Sequence, residues 1–199
     1  MSRTLPNDPQ IIIVDHNNEI IGTEYLEAAC QKGYWHRVCY VFVYIPQEKV
    51  FLVRKRPKDA QFWPGFYDIC NGRVRYETDS SDLEAAERGV SETFGVPLQY
   101  FGPTRSDPAH LSFVHTIKNE EYKVFINVYF FKFDGQMHLT EDQLSLLTVW
   151  SLEQINDKVF SNTEKITEMS KFAYLESTKN DEFLARIFDP DFDSENEEK

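Results

Sequence analysis

A chain of 199 residues, 41% hydrophobic and 15% aromatic, with ten tyrosines and sixteen phenylalanines, has the length of one domain and the side chains to fill its core. Its formal net charge of −12 repels phosphate backbones and anionic lipid, which argues against a polynucleotide scaffold or a polybasic membrane binder, so an anionic ligand needs a local basic pocket. No apolar run approaches the ~20 residues of a membrane span, and Met1 to Gln10 lacks a signal-peptide core, so the expected compartment is cytoplasmic. Cys30, Cys39 and Cys70 show no CxxC spacing and read as reduced thiols.

Residues 1–10 read as an extension, 11–188 as the domain with its C-terminal helices, and 189–199 as an acidic flexible tail. Ile11 to Val14 is a predicted strand, and Ile20-Ile21 is its return after a turn at Asp15 to Asn18. Thr23 is then a candidate N-cap for a helix to about Lys32, ended by Gly33. His36 to Ile45 carries no charge after Arg37 and reads as a strand buried on both faces, with Val50 to Val53 as its return. Arg54 to Phe66 is expected to be a cationic loop, followed by a short strand at Tyr67 to Cys70.

Ser81 to Phe94 is the clearest helix. Ser81 and Glu84 form a capping-box pattern, Leu83, Ala86, Val90 and Phe94 make one apolar stripe, and Gly95 is the stop. Ala109 to Ile117 and Tyr122 to Phe133 read as strands joined by a hairpin at 118–121. Leu152 to Val159, Thr163 to Tyr174 and Asp181 to Phe188 read as helices. The expected class is α/β, a mixed sheet with helices around it.

Trp63-Pro-Gly-Phe-Tyr-Asp-Ile-Cys-Asn-Gly-Arg-Val74, followed by Asp82-Leu-Glu-Ala-Ala-Glu-Arg-Gly-Val-Ser-Glu-Thr-Phe-Gly-Val96, resembles the box of the Nudix hydrolases. Val14 to Thr23, His36-Arg37, Arg54-Lys-Arg56 and Val149-Trp-Ser-Leu-Glu153 resemble the branch that contains isopentenyl-diphosphate isomerase-like proteins. The resemblance runs from about Ile11 to Asn156 and implies an α/β/α sandwich with Ser81 to Phe94 as the box helix.

It also implies pyrophosphate chemistry, in which Mg²⁺ or Mn²⁺ held by box glutamates bridges the phosphate oxygens and activates water. Anchored on Gly95, the box arginine is Arg88 and the first glutamate of its Glu-Glu pair is Glu92, which makes these two the candidate catalytic residues. Gly89 and Thr93 stand where the family has glutamates. The upstream box glutamate falls on Ser80, Thr78 or Asp79, according to where an insertion is placed, and the registers stay open. Candidate metal ligands are therefore Glu92, Glu84 and Asp79, with Glu141 and Asp142 near a later loop. Restoring glutamate at 89 and 93 is expected to leave the helix unharmed and to rebuild three adjacent carboxylates, whose mutual repulsion costs some stability that Mg²⁺ or Mn²⁺ restores.

Arg54, Lys55 and Arg56, with Lys58 beside them, are the candidate contacts for a diphosphate, and Trp63 and Phe66 are candidates to cover a base or isoprenoid. Against each stands a bland reading, a solvated strand end for the cations and core packing for the aromatics. Cys70 misses the position before the box glycine that the isomerase chemistry uses, and His36 reads as a structural histidine. Asp107, His110 and His115 make no recognisable triad. The expected function is a diverged hydrolase of nucleoside diphosphate-linked or other organic pyrophosphates. The alternatives are a Nudix-fold binding module for a nucleotide or protein partner and, more weakly, an isomerase-like protein.

Overall fold

The uncharged run after Arg37 becomes the central strand in a computed structural model of the protein, which describes residues 10–60, 63–69, 71–96, 109–117, 122–133, 137, 139–181 and 184–185. The elements in chain order are β1 (Ile11–Val14), β2 (Ile20–Glu24), α1 (Leu26–Gln31), β3 (Trp35–Ile45), β4 (Val50–Lys55), β5 (Tyr67–Asp68), β6 (Asn71–Val74) and α2 (Asp82–Phe94). They continue as β7 (Ala109–Ile117), β8 (Tyr122–Lys132), α3 (Glu141–Leu146), β9 (Leu147–Ser151), α4 (Leu152–Ser161) and α5 (Glu168–Ser177).

Along one edge β3 runs parallel to β8, from Trp35 opposite Lys123 to Tyr44 opposite Lys132, and β7 lies antiparallel beyond it. Along its other edge β3 has three partners in turn: β1 at Trp35 and His36, β6 from Val38 to Val41, and β4 at Tyr44 and Ile45, all antiparallel. Beyond β3 the same sheet continues through β4, which pairs with β5 along part of its length and with β9 on its other edge.

Alternation along the strands sends side chains to two faces, and both are covered. Cys39, Val41 and Val43 of β3, Leu52 of β4 and Tyr129 and Phe131 of β8 pack against Ala85, Ala86, Val90 and Phe94 of α2. Val38, Tyr40, Phe42, Phe51, Val53, Ile126 and Val128 pack against Ile155 and Val159 of α4 and Met169, Ala173 and Tyr174 of α5. The result is the expected α/β/α sandwich, and β3 is buried on both sides as its lack of charge predicts. Among the described residues no helix is long and apolar enough to cross a membrane.

Several local expectations change. Thr23 is a strand residue opposite Ile12, and its hydroxyl donates to Gln10; Tyr25 occupies the N-cap of α1 and offers no side-chain bond. Arg54 and Lys55 belong to β4 rather than to a loop, because each pairs across to β5 and Arg54 also pairs to β9. α5 starts at Glu168, since residues just before it are held to β5: Tyr67 N–H donates to Lys165 O and Thr167 N–H to Tyr67 O. The extension through residue 9, Cys70, Asp107, the hairpin at 118–121, the side chains of His110 and His115, most of the helix expected at Asp181 to Phe188 and the tail at 189–199 lie outside the described residues.

Candidate functional site

The helix α2 begins as its sequence dictates. Ser81 Oγ accepts from the Glu84 N–H at 3.1 Å, and Gly95 closes the other end at φ +61°, a left-handed conformation that glycine adopts without strain. The reciprocal half of the capping box is displaced by one residue, since the Glu84 carboxylate accepts from the N–H and hydroxyl of Ser80 instead of from Ser81. Those bonds hold its pKa below the usual carboxylate range. Glu84 is thus an exposed cap at the helix entrance, away from Glu92 by two turns of helix.

Asp82, in the first turn, ties α2 to the sheet. Its Oδ1 accepts from Arg75 Nη1 at 3.1 Å and its Oδ2 from Asn127 Nδ2 at 2.7 Å, while Cys39 Sγ donates to its carbonyl at 3.0 Å. Arg37 approaches the same carboxylate at 3.9 Å and bonds Asn18 more closely. Nothing in the spacing of these residues announces the cluster, because its members come from α2, β3, β8 and the segment after β6.

Arg88 is fastened to Asp79 by two parallel bonds of 3.0 Å each, donates to Val74 O at 3.1 Å, and lies over the Tyr76 ring with 4.0 Å to its centroid. Its contact with Glu92 is longer, 3.3 Å, and that carboxylate is half exposed. Magnitudes separate the two partners. An exposed i,i+4 pair is worth about 0.3–0.5 kcal/mol, whereas breaking a buried, bidentate pair costs about 3–5 kcal/mol. Arg88 therefore belongs to Asp79, which is 6% exposed and also accepts from Tyr76 N–H at 2.7 Å. Burial works against the Arg88 charge, and the Asp79 bonds outweigh it, so its pKa is raised.

The donor set does not fit a divalent ion. Both oxygens of Asp79 are engaged by Arg88, Glu84 is engaged by Ser80, and Glu92 shares Arg88. The neighbouring positions on the helix, Gly89 and Thr93, bring no carboxylate and are buried. A glutamate at either position would start from that buried face. Among the described residues no group of three or more His, Cys, Asp or Glu side chains could hold a metal ion.

The strand β4 delivers its cations to opposite faces. Lys55 points away from α2, its ammonium 5.0 Å from the centroid of the Tyr67 ring. Arg54 shares its face with Leu52 and with Leu147, its cross-strand neighbour, both of which pack on the α2 side. Arg56 donates to Asp68 Oδ2 at 3.0 Å and lies 5.9 Å from the centre of the Trp63 ring, and Thr167 Oγ1 donates to Asp68 Oδ1 at 2.6 Å. These contacts join the end of β4 to α5. Trp63, at φ +47°, packs against the core on the α5 side, and Phe66 lies under Lys165, 5.9 Å from its ammonium.

Arg54 is the exception. It is partly buried, yet among the described arginine side chains it alone has no hydrogen-bond or ion-pair partner. Asp68 stands opposite it in the ladder, but both Asp68 oxygens are taken by Arg56 and Thr167. Burial lowers the Arg54 pKa, and the Asp68 charge only partly offsets that. The helix α3 closes the space toward α2: Gln143 completes a capping box with Thr140 and donates from Nε2 to the Glu92 carbonyl at 3.0 Å. Since α3 runs straight into β9, Gln143 is one helical turn from Leu147, so Arg54 and Glu92 flank the same short helix. Asp68, Thr167 and Gln143 were not singled out by sequence, although Thr140-x-x-Gln143 is a capping-box signature.

No model of a known protein family matches the chain. An uncharacterized Nudix hydrolase of Listeria monocytogenes is 26% identical over 156 residues, covering 77% of this chain and 80% of its own. The chain is homologous to the Nudix hydrolases. An isopentenyl-diphosphate Delta-isomerase of Serratia proteamaculans is 23% identical over 165 residues, covering 80% of this chain and 86% of its own. In fold, this Nudix homologue is similar to the crystal structure of DR0079 from Deinococcus radiodurans, with a TM-score of 0.59 at 14% identity over 82% of this chain and 96% of that one. The helix α2 carries the segment that resembles the Nudix box, and is a Nudix helix by that resemblance.

Proposed function

We propose that this Nudix homologue binds an organic diphosphate, a nucleoside diphosphate-linked compound or a related organic pyrophosphate, on the α2 side of the sheet, and that binding rather than hydrolysis is its activity. The observation that carries this reading is the unpartnered Arg54 guanidinium, held partly buried at the end of β4 in an otherwise acidic protein. Leaving a buried charged donor without a partner costs stability, and a phosphate oxygen is the acceptor that offsets the cost. The planar guanidinium forks onto two phosphate oxygens at once, which a lysine does not do.

The residues of the Nudix helix support binding over turnover. Glu92 remains, but two of the other candidate carboxylates serve the fold: Asp79 as the seat of Arg88 and Glu84 as a cap. The second reading, a diverged metal-dependent hydrolase, is favoured by one contact. Gln143 brings α3, and with it Glu141 and Asp142, to the end of the Nudix helix that carries Glu92.

Equilibrium titration with a panel of nucleoside diphosphates, nucleoside diphosphate sugars and prenyl diphosphates tests the proposal. At least one is expected to saturate the protein, with an affinity that falls as salt is raised. Uniform failure of the panel to bind would remove the role assigned to Arg54.

A further inference from the structure

We propose that the site takes its diphosphate as the metal-free anion, with Arg54 supplying the positive charge that a divalent ion would otherwise bring. This rests on the binding function proposed above and adds to it the state in which the ligand is recognised.

Two observations made at different ends of the site carry it. At the helix α2, the candidate ligands Asp79, Glu84 and Glu92 are already hydrogen-bonded to Arg88 or Ser80, and the box positions flanking Glu92 on its face are a buried glycine and a buried threonine. Carboxylates without a metal repel a diphosphate, so a compensating cation has to come from the protein. At the end of β4, the one acidic side chain that faces Arg54 across the ladder is Asp68, and its oxygens are turned to Arg56 and Thr167. With its oxygens turned to those two partners, Asp68 makes no hydrogen bond to Arg54 and offsets its charge only in part.

Asp68 acts here as a positioning residue. Its charge is spent on fastening the strand end to α5, and Arg56, which has the same formal charge as Arg54, is thereby removed from ligand binding. Arg54 is left with its full set of donors in a partly desolvated place, where a charge-assisted bond to phosphate is stronger than in water. Prior capture of the phosphate oxygens by Mg²⁺ would reduce the negative charge that Arg54 attracts. Magnesium should therefore leave affinity unchanged or lower it.

Isothermal titration of the full chain with ADP tests this, in excess EDTA and then in excess Mg²⁺, for the parent, Arg54→Gln and Arg54→Lys. Binding is expected in EDTA, no weaker than in Mg²⁺, and at least tenfold weaker in Arg54→Gln, with Arg54→Lys in between because the bidentate contact is lost. The melting temperature of unliganded Arg54→Gln is expected to equal or exceed that of the parent, since no internal bond is removed. Binding that requires Mg²⁺ overturns the inference while the proposed function stands; binding that survives unchanged in Arg54→Gln overturns the inference and the place the proposed function gives to Arg54, leaving only that the chain binds a diphosphate. If ADP fails in both media but another diphosphate of the panel binds, the same comparison is made with that compound; if none binds in either medium, the proposed function falls and the inference with it.

Discussion

Burial holds the His36 imidazole neutral and pushes its pKa down to about 4, while its Nδ1 lies 3.3 Å from Tyr34 O. In the unfolded chain the same ring takes up a proton near pH 6.5. The stability this contributes is complete above pH 6.5 and is lost as pH falls toward 4, by roughly 3 kcal/mol in all. Asp68 works in the other direction. Burial raises its pKa, against the pull of Arg56 and the Thr167 bond, so its share of stability increases as pH falls. Urea unfolding of the parent and of His36→Phe at pH 7.5 and pH 4.5 separates them: the acid loss is expected to shrink markedly in the variant. An equal loss in both proteins would mean that His36 is protonated in the folded state. Sequence gave the right sense for His36, from its place beside a charge-free strand. It could not assign Asp68, Arg56 and Arg54 their different tasks, because those depend on Thr167, about a hundred residues downstream.

At the scale of elements, the Nudix helix was legible because three local signals agree: a serine cap, an apolar stripe and a terminating glycine. The strands β6 and β9 were not, since neither has an alternating pattern long enough to read and both exist through pairing to β3 and β4. β4 was read too short because Arg54 and Lys55 look like loop residues, and only β5 and β9 beside them make them strand. The helix periodicity also placed 89, 92 and 93 on neighbouring positions without showing how the helix is rotated. Gly89 and Thr93 turn inward, and Glu92 lies at the edge with its carboxylate half exposed. Gly89→Glu is therefore expected to destabilise the protein by about 3 kcal/mol at neutral pH, since an unpaired carboxylate enters a buried face. The loss should grow as pH rises through the raised pKa of the new side chain, and Mg²⁺ should not restore it. Thermal melts of the variant with and without Mg²⁺ decide this; full recovery on adding the ion would show that a metal site lies latent at positions 89 and 92.

For the molecule as a whole, the fold is that of a Nudix hydrolase, while the side chains along its Nudix helix serve to hold the sandwich together. Arg88 and Asp79 seat the helix on the preceding segment, Asp82 ties it to β3 and β8, and Gln143 fixes α3 to its far end. Against a net charge of −12, the cationic end of β4 is the feature that the proposed function uses to draw an anion in, with Arg54 the part of it left without a hydrogen-bond partner. The central claim is that such an anion is held and not cleaved. It is tested most directly by following product formation from every diphosphate that binds, with excess Mg²⁺ or Mn²⁺, in the parent and in Glu92→Gln. The ligands are predicted to be recovered intact, at blank rates in both proteins. Metal-dependent cleavage by the parent that disappears in Glu92→Gln would contradict the account and make the protein a working hydrolase.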